Sequence, residues 1–338
     1  MASTNSSSRD MKKNINGFRE FTSNYAIYIV LLVLFLSIGV LNNNFFGFDN
    51  IKNILVVASV RIIIALGVGG VLITKGTDLS AGRIVGLAAC IAASLLQKPD
   101  YAYKLFPNVG QLPILVPILL AVVVAALLGL INGGVIAYLK VPPFIATLGM
   151  QVIVYGIALI FTNAQPIGGL RDDFTKIASG SSLLIPNLIL IAVIIVMIIW
   201  FILNKTPFGK YIYAIGGNSV AAEVSGVNVG KNLVKVYALA GALYGLAGVL
   251  LAARTGGATN AYGQMYELDA IAAATIGGVS TSGGIGKVSG IITGVLIFEV
   301  LNNGLVVLGV SAYWQQIIKG VIIIGAVAFD IRKYLAKK

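Results

Sequence analysis

The chain has 338 residues, of which 58% are hydrophobic and only 11% are charged. A soluble domain carries about a quarter of charged residues, so this composition indicates an integral membrane protein. The net charge of +12 arises from basic residues that concentrate at loops and termini, which indicates membrane topology rather than nucleic-acid binding. Histidine is absent and Cys90 is the single cysteine, so no metal site, disulfide framework or other cofactor is predicted.

Ten apolar runs, most of them about 20 residues long, predict an all-α polytopic membrane protein, because a helix of this length crosses the hydrocarbon core. Residues 1–24 are predicted to be a polar tail, and residues 25–338 a single transmembrane domain. No loop is long enough to hold an ATPase or an extracellular binding domain, so such modules are expected on separate chains. The predicted spans are residues 25–41, 54–73, 83–97, 113–138, 144–162, 184–203, 234–253, 269–285, 288–304 and 316–331.

An even number of spans predicts that both termini lie on one side of the membrane. The loops on that side carry most of the 24 basic residues. Because basic loops remain in the cytoplasm, this distribution predicts cytoplasmic termini and a cytoplasmic loop at residues 204–235. The polar start is longer than the basic lead of a signal peptide and lacks its small-residue cleavage site, so the first span is expected to be retained.

A glycine-bracketed polar segment, residues 76–82, interrupts the apolar sequence between the second and third predicted spans. It contains Asp78 and Ser80 and predicts a broken helix, which membranes tolerate only where it is buried in protein or lines a cavity. The short motif 78–81 (DLSA) resembles the motif 267–270 (ELDA), and both precede an Ala/Gly-rich run. We therefore hypothesise an internal repeat.

The predicted cytoplasmic loop at residues 204–235 contains a short capped helix. Asn218 or Ser219 is a suitable N-cap for a helix over residues 220–225, and Gly226 is suited to end it in a left-handed conformation. Small side chains on this helix and lysines on both flanks favour a docking surface for a cytoplasmic partner protein. The alternative is an ordinary loop with one helical turn.

A second glycine-rich interruption covers residues 279–290 and ends close to Lys287. A phosphate-binding loop would need glycine at Thr281 and serine or threonine at Val288, so the motif fails at two positions. A tight turn between two spans is the better prediction.

Polar side chains in or beside the apolar runs are candidate pathway residues, because such groups are costly in lipid. Glu299 is expected either to pair inside the bundle or to face a water-filled path, and alone it makes a poor proton relay. Snorkelling to the interface is the alternative for Arg61, and helix capping for Asp78 and Asp269. Helix–helix hydrogen bonding is the alternative for the amides. The candidates are Asp78, Ser80, Asn132, Gln151, Glu299 and Asn302.

Several of these segments resemble the signatures of sugar ABC-importer permeases of the ribose/galactoside type. They are residues 76–82, 216–229 and 266–273, with the glycine-rich segment at 277–290. The resemblance covers the chain from about residue 25. It is closest to the galactose/methyl-galactoside members of the family through residues 61–68, 74–83 and 313–315.

The resemblance implies a division of labour in a bacterial inner membrane. Two permease copies would form the pathway, separate ATPase subunits would bind in the cytoplasm, and a soluble periplasmic or lipid-anchored protein would deliver the sugar. By position, the resemblance implies that the ATPase-coupling residues are Gly217, Asn218, Ala221, Ala222, Glu223, Ser225 and Gly226.

Other functions remain open at this stage. The resemblance implies galactose or methyl galactoside as the cargo, with ribose or another monosaccharide as the alternative. A secondary sugar transporter that works alone is a further alternative, which the lack of an obvious ion-coupling cluster disfavours. A membrane-embedded enzyme is disfavoured more strongly, since the sequence lacks histidine, paired catalytic carboxylates and metal-ligand spacing.

Overall fold

The computed structural model describes residues 27–182 and 185–335, and most of these residues are helical. A short 3-10 helix spans Asn43–Phe46, and two strands of two residues each pair to form a small antiparallel hairpin. The elements are α1 Ile27–Leu41, α2 Phe48–Ile73, α3 Ala81–Leu95, α4 Leu115–Tyr138, α5 Pro143–Thr162, α6 Asp172–Ser179, β1 Ser181–Ser182, β2 Ile185–Pro186, α7 Asn187–Lys205, α8 Pro207–Gly217, α9 Ser219–Val224, α10 Val229–Thr255, α11 Tyr266–Ile276, α12 Val288–Val307 and α13 Ala312–Leu335.

Within the described ranges, six helices are long and apolar enough to cross a membrane: α2, α4, α5, α7, α10 and α12. The apolar parts of α1, α3 and α13 are shorter. The all-α polytopic fold is therefore confirmed, whereas the count of ten spans stays a prediction. The predicted tail at residues 1–24 lies outside the described residues.

The predicted span at residues 269–285 differs from the structure. The helix found there, α11, has 11 residues. At a rise of about 1.5 Å per residue it is about 16 Å long, roughly half of a hydrocarbon core of about 30 Å. The rest of the predicted span is a loop, because Gly278, Gly283 and Gly284 adopt positive φ angles that a continuous helix excludes.

One group of loops, which we call the coupling layer, joins the ends of α2, α8, α11 and α13. The Gly284 amide donates to the Ile73 carbonyl at the end of α2, at 2.8 Å. The Tyr213 hydroxyl on α8 donates to a carbonyl of the same loop at 2.9 Å. The Asp330 carboxylate on α13 accepts from the Thr281 amide at 2.9 Å. The described end of α13 therefore lies in the coupling layer.

A second group of loops, the opposite layer, joins the other helix ends. The Lys98 amide after α3 donates to the Gly169 carbonyl after α5, at 2.7 Å. The Ile167 amide donates to the Ala258 carbonyl after α10, at 2.8 Å. The helix ends thus sort into two layers, as expected for a chain that crosses a membrane repeatedly.

Helix α10 forms the centre of the bundle and packs against α2, α3 and α4. Small residues make this packing close. A Cβ on Gly129 of α4 would collide with the Tyr237 carbonyl oxygen of α10, and a Cβ on Gly241 would collide with the Ala125 carbonyl oxygen. In lipid such close van der Waals contact replaces the hydrophobic driving force that holds helices together in water.

Candidate functional site

The short helix α9 is held by local hydrogen bonds that the sequence predicts. The Asn218 side chain accepts a hydrogen bond from the Ala221 amide at 3.0 Å, so Asn218 rather than Ser219 is the N-cap. Gly226 has φ +86°, and the amide that follows it donates to the Ala222 carbonyl at 3.0 Å. This is the left-handed termination expected of glycine. The capped helix is confirmed, and its role stays a prediction.

Helix α9 presents a partly apolar surface to solvent. Val220 and Val224 are 69% and 85% exposed, and Ala221 and Glu223 are also exposed. The other candidate coupling residues, Gly217, Asn218, Ser225 and Gly226, lie on the same exposed segment. Ala222 is the exception: it is only 5% exposed and packs inward. A bulky residue at Ala222 would therefore disturb the helix itself as well as any docked partner.

The broken helix at residues 76–82 brings three candidate pathway residues together. Asp78 is fully buried, and its Oδ1 accepts hydrogen bonds from the Ser80 amide at 3.0 Å and from the Ser80 hydroxyl at 2.6 Å. The Asn132 amide of α4 donates to the Ser80 hydroxyl at 2.9 Å. Asp78 thus orders the turn before α3 instead of capping the first helical turn of α3. The buried hydroxyls of Tyr237 and Tyr244 interact electrostatically with the Asp78 carboxyl, whose Oδ2 accepts no hydrogen bond from the described residues.

The same turn is fixed to α5 through Thr147. The Leu79 amide donates to the Thr147 hydroxyl at 3.1 Å, and that hydroxyl lies 3.2 Å from the Thr77 carbonyl. The Leu79 amide and the Thr77 carbonyl of the break thus meet a protein side chain, as irregular backbone at membrane depth requires.

The starts of α3 and α11 meet inside the bundle. A Cβ on Gly82 would collide with the Gly263 carbonyl oxygen and with Glu267 Oε2, and a Cβ on Gly86 would collide with the Tyr262 carbonyl oxygen. The two similar motifs, at residues 78–81 and 267–270, thus lie at helix starts that touch. The internal repeat itself stays a hypothesis.

Glu267 is a buried acid that sequence reasoning did not select as a site residue. It is 4% exposed, and its Oε2 has no hydrogen-bond partner within the described residues. The sequence does contain a hint of this role, because Glu267 begins the motif at residues 267–270 that resembles the motif begun by Asp78. We did not expect Glu267 to be buried, because it lies just outside the predicted span at residues 269–285.

Glu299 belongs to a charge network in which Arg61 is central. Arg61 NH1 lies 2.7 Å from Glu299 Oε1 and 3.1 Å from Asp269 Oδ2, and Lys319 Nζ lies 3.9 Å from the same Asp269 oxygen. The Arg61 guanidinium also stacks over Tyr266, 5.4 Å from the ring centre. Glu299 is therefore paired inside the bundle. The snorkelling alternative is wrong for Arg61, because its guanidinium points into the bundle and pairs with two acids. The capping alternative is wrong for Asp269, because its carboxylate pairs with Arg61 and caps no helix among the described residues.

The remaining candidates, Gln151 and Asn302, lie apart from these clusters. Neither side chain makes a hydrogen bond to another residue that the structure describes, and both polar atoms of the Asn302 amide are buried. The neighbouring Asn303 behaves as the amide alternative predicts, since it exchanges two hydrogen bonds of 2.9 Å with Asn50 of α2. The candidate pathway residues therefore lie in several separate clusters and do not line one continuous path.

Known transport proteins resemble the chain over nearly its whole length. Residues 50–327 match the family described as branched-chain amino acid transport system / permease component. The chain is 52% identical over 332 residues to the galactose/methyl galactoside import permease protein MglC of Escherichia coli (strain K12), with 96% of this chain and 99% of that protein covered. It is 40% identical over 334 residues to the ribose import permease protein RbsC of Haemophilus influenzae, with 97% and 99% covered. No solved structure matches the chain significantly.

Proposed function

The chain belongs to the family of branched-chain amino acid transport system / permease components, and we propose that it forms the translocation pathway of an ATP-driven importer for galactose and methyl galactosides. The 52% identity to a galactose/methyl galactoside import permease, over nearly both whole chains, supports this cargo. The 40% identity to a ribose permease makes ribose the weaker candidate. The chain is a multi-pass membrane protein whose part is transport and not catalysis.

The observation that supports coupling is the packing of α8 against two loops of the coupling layer. Gly216 is buried where a Cβ would collide with the Ile73 carbonyl oxygen and lie 2.6 Å from the Gly284 amide nitrogen. Lys75 Nζ lies 3.4 Å from the Gly217 carbonyl oxygen. A force on α9 would therefore reach both the broken helix that follows α2 and the loop that follows α11.

The proposed importer has three partners for this chain. A separate ATPase binds α9 on the cytoplasmic side, so the coupling layer and both chain termini are cytoplasmic. A soluble sugar-binding protein docks on the opposite layer, and a second permease copy completes the pathway. Residues 25–338 act as one transmembrane domain in an inner membrane.

Asp78, Ser80 and Asn132 are proposed to hold the broken helix that moves during transport. Their hydrogen bonds join the turn before α3 to α4, so a change at the coupling layer alters the contact between these elements. Glu299 is proposed to act by pairing with Arg61, which fixes α12 to α2. Asn302 is proposed to bind an internal water molecule, because both polar atoms of its amide are enclosed by this chain and make no hydrogen bond to the described residues.

A secondary transporter that works alone is the second candidate. Its ion coupling would need buried acids that are free to exchange protons or cations. Glu299 and Asp269 are paired with Arg61, but Glu267 and Asp78 each keep one oxygen without a hydrogen bond among the described residues. The identity to import permeases, and not the pairing of the acids, therefore favours the ATP-driven importer.

Reconstituted uptake tests the proposal. Vesicles that hold the chain, its ATPase and the sugar-binding protein should accumulate galactose when ATP is supplied on the cytoplasmic face, and vesicles with the chain alone should not. Uptake by the chain alone, independent of ATP, would contradict the proposal and favour the secondary transporter. Accumulation of ribose in preference to galactose would contradict the cargo only.

A further inference from the structure

The loop before α11 reaches the middle of the membrane. Helix α11 has 11 residues and ends in the coupling layer, so its first residue lies about 16 Å from that layer, roughly half of a hydrocarbon core of about 30 Å. Helix α5 starts near the same layer, because the Thr147 hydroxyl in its second turn lies 3.2 Å from the Thr77 carbonyl, which follows the end of α2. Gln151 and Tyr155 lie about 12 and 18 Å along α5, on one helix face because they are four residues apart. The loop and these two side chains are therefore at similar depth.

Arg83 of α3 links the loop to α5. Its NH1 donates to the Asn260 carbonyl at 3.3 Å, and its guanidinium stacks over the Tyr155 ring, 4.2 Å from the ring centre. Gln151 lies one turn before Tyr155. We call Arg83, Gln151, Tyr155 and Asn260 the polar patch.

The polar patch has hydrogen-bonding capacity that the described residues do not use. Arg83 has five N–H donors and makes one hydrogen bond, and the side chains of Gln151, Tyr155 and Asn260 make none. The Tyr155 side chain is 37% exposed, and the other three residues are partly exposed. Polar groups and irregular backbone at this depth cost several kcal/mol against lipid, so such a surface is expected to face water instead of lipid.

We infer that the polar patch binds the sugar hydroxyls at the middle of the membrane during transport. This inference rests on the proposed function. A neutral hexose needs donors and acceptors, which the guanidinium, the two amides and the phenol supply together. The Glu267 carboxyl lies against Gly82, the residue before Arg83, so the one cation of the patch has an acid nearby.

Water access to the patch is tested by cysteine labelling in the assembled complex. A hydrophilic, membrane-impermeant thiosulfonate should modify Gln151→Cys at least about ten-fold faster than Val152→Cys, because only a thiol in water forms the reactive thiolate. Val152 is the matched control, since it is 67% exposed on the neighbouring face of α5. The native Cys90 is fully buried and supplies the background. Equal labelling of the two variants would overturn the inference.

Sugar contact is tested by transport with the same complex. Tyr155→Phe, which removes one hydroxyl, and Gln151→Leu should each lower galactose uptake about ten-fold, since one hydrogen bond to the cargo is lost. ATP hydrolysis stimulated by the loaded binding protein should persist, and Val152→Leu should transport normally. Uptake by both patch variants within about two-fold of the wild type would overturn the sugar contact.

The two ideas fail in different ways. If the unsubstituted complex shows no ATP-dependent uptake, the proposed function is wrong, and the labelling contrast can still be read because labelling needs no transport. If uptake is normal and Gln151→Cys is inert, only the polar patch is wrong.

Discussion

The coupling helix α9 and the meeting of α3 with α11 differ in what holds them in place. Helix α9 is built from hydrogen bonds within residues 218–227, and most of its side chains are exposed. The meeting point instead joins Gly82 to Gly263, which are far apart in sequence, and is further fixed through Asp269 on α11. Substitutions on the exposed surface of a locally stabilised helix leave its fold intact. At a close-packed crossing, even one added atom must displace its neighbours.

This difference suits the two proposed tasks. A docking helix must stay folded while its partner moves it, and local caps provide that stability without contacts that would have to break. The crossing lies where the broken segments meet, so its packing decides how movement of one segment is transmitted to the other. Substitutions should therefore affect folding at the crossing and partner binding at α9.

The largest loss of stability is expected for Arg61→Met. The variant leaves Glu299 and Asp269 as buried acids without their main cation, a change that costs about 3–5 kcal/mol in buried pairs. Unfolding of the purified protein in mixed micelles measures this loss. The double variant Arg61→Met/Glu299→Met should be more stable than Arg61→Met alone, because one unpaired charge is removed.

Lys98→Met is the matched control for that experiment. Lys98 pairs with Asp172 at 2.8 Å, but both side chains are well exposed. Little change in stability is expected, because water screens exposed pairs. An equal loss in Lys98→Met and Arg61→Met would show that burial of the Arg61 network does not matter.

Gly82→Ala is expected to cost about 1–3 kcal/mol, since its Cβ forces the backbone of Gly263 to shift. Gly134→Ala on α4 is its control, because a Cβ there has no neighbour within 4 Å and alanine favours helix. The thermal midpoint should fall in the first variant and be unchanged or higher in the second. Similar midpoints for both would contradict the tight crossing.

Asn218→Ala removes the N-cap of α9 and should destabilise that helix by about 1 kcal/mol. Because the helix is exposed, the global unfolding midpoint should hardly change. Hydrogen exchange at the amides of residues 221–224 should become faster. Asn218→Asp retains a capping oxygen and should exchange like the wild type, and fast exchange in that variant would argue against the cap.

The smallest effect on stability is expected for Val224→Glu. Val224 is 85% exposed, so the folded permease should tolerate the charge. Co-purification of the ATPase and sugar uptake should nevertheless fall sharply, because the charge would be buried at the docked surface. Val224→Leu keeps the apolar surface and should retain both. Undiminished ATPase binding by Val224→Glu would remove α9 from the docking surface.

The parts of the fold that sequence predicts are those fixed by short-range physics. Apolar runs reveal most of the helices, because the hydrocarbon core requires about 20 apolar residues per crossing. The caps of α9 are predictable because an N-cap bonds an amide three residues away and glycine alone adopts φ +86° without strain. The broken helix at residues 76–82 is visible for the same reason, since glycine and aspartate punctuate an apolar run.

What only tertiary structure decided is which distant groups meet. Nothing near Arg61 in sequence identifies Asp269 or Glu299 as its partners, and neither the burial of Glu267 nor the inward orientation of Ala222 can be read from its neighbours. Apolar composition also concealed that α11 is half a span, because hydropathy does not distinguish a helix from a glycine-rich loop packed in protein. The sequence alone determined most of the apolar helices and the caps of α9. The pairing of buried polar groups depends on the approach of helices more than 200 residues apart, as with Arg61 and Asp269, where close packing leaves room for only one set of partners.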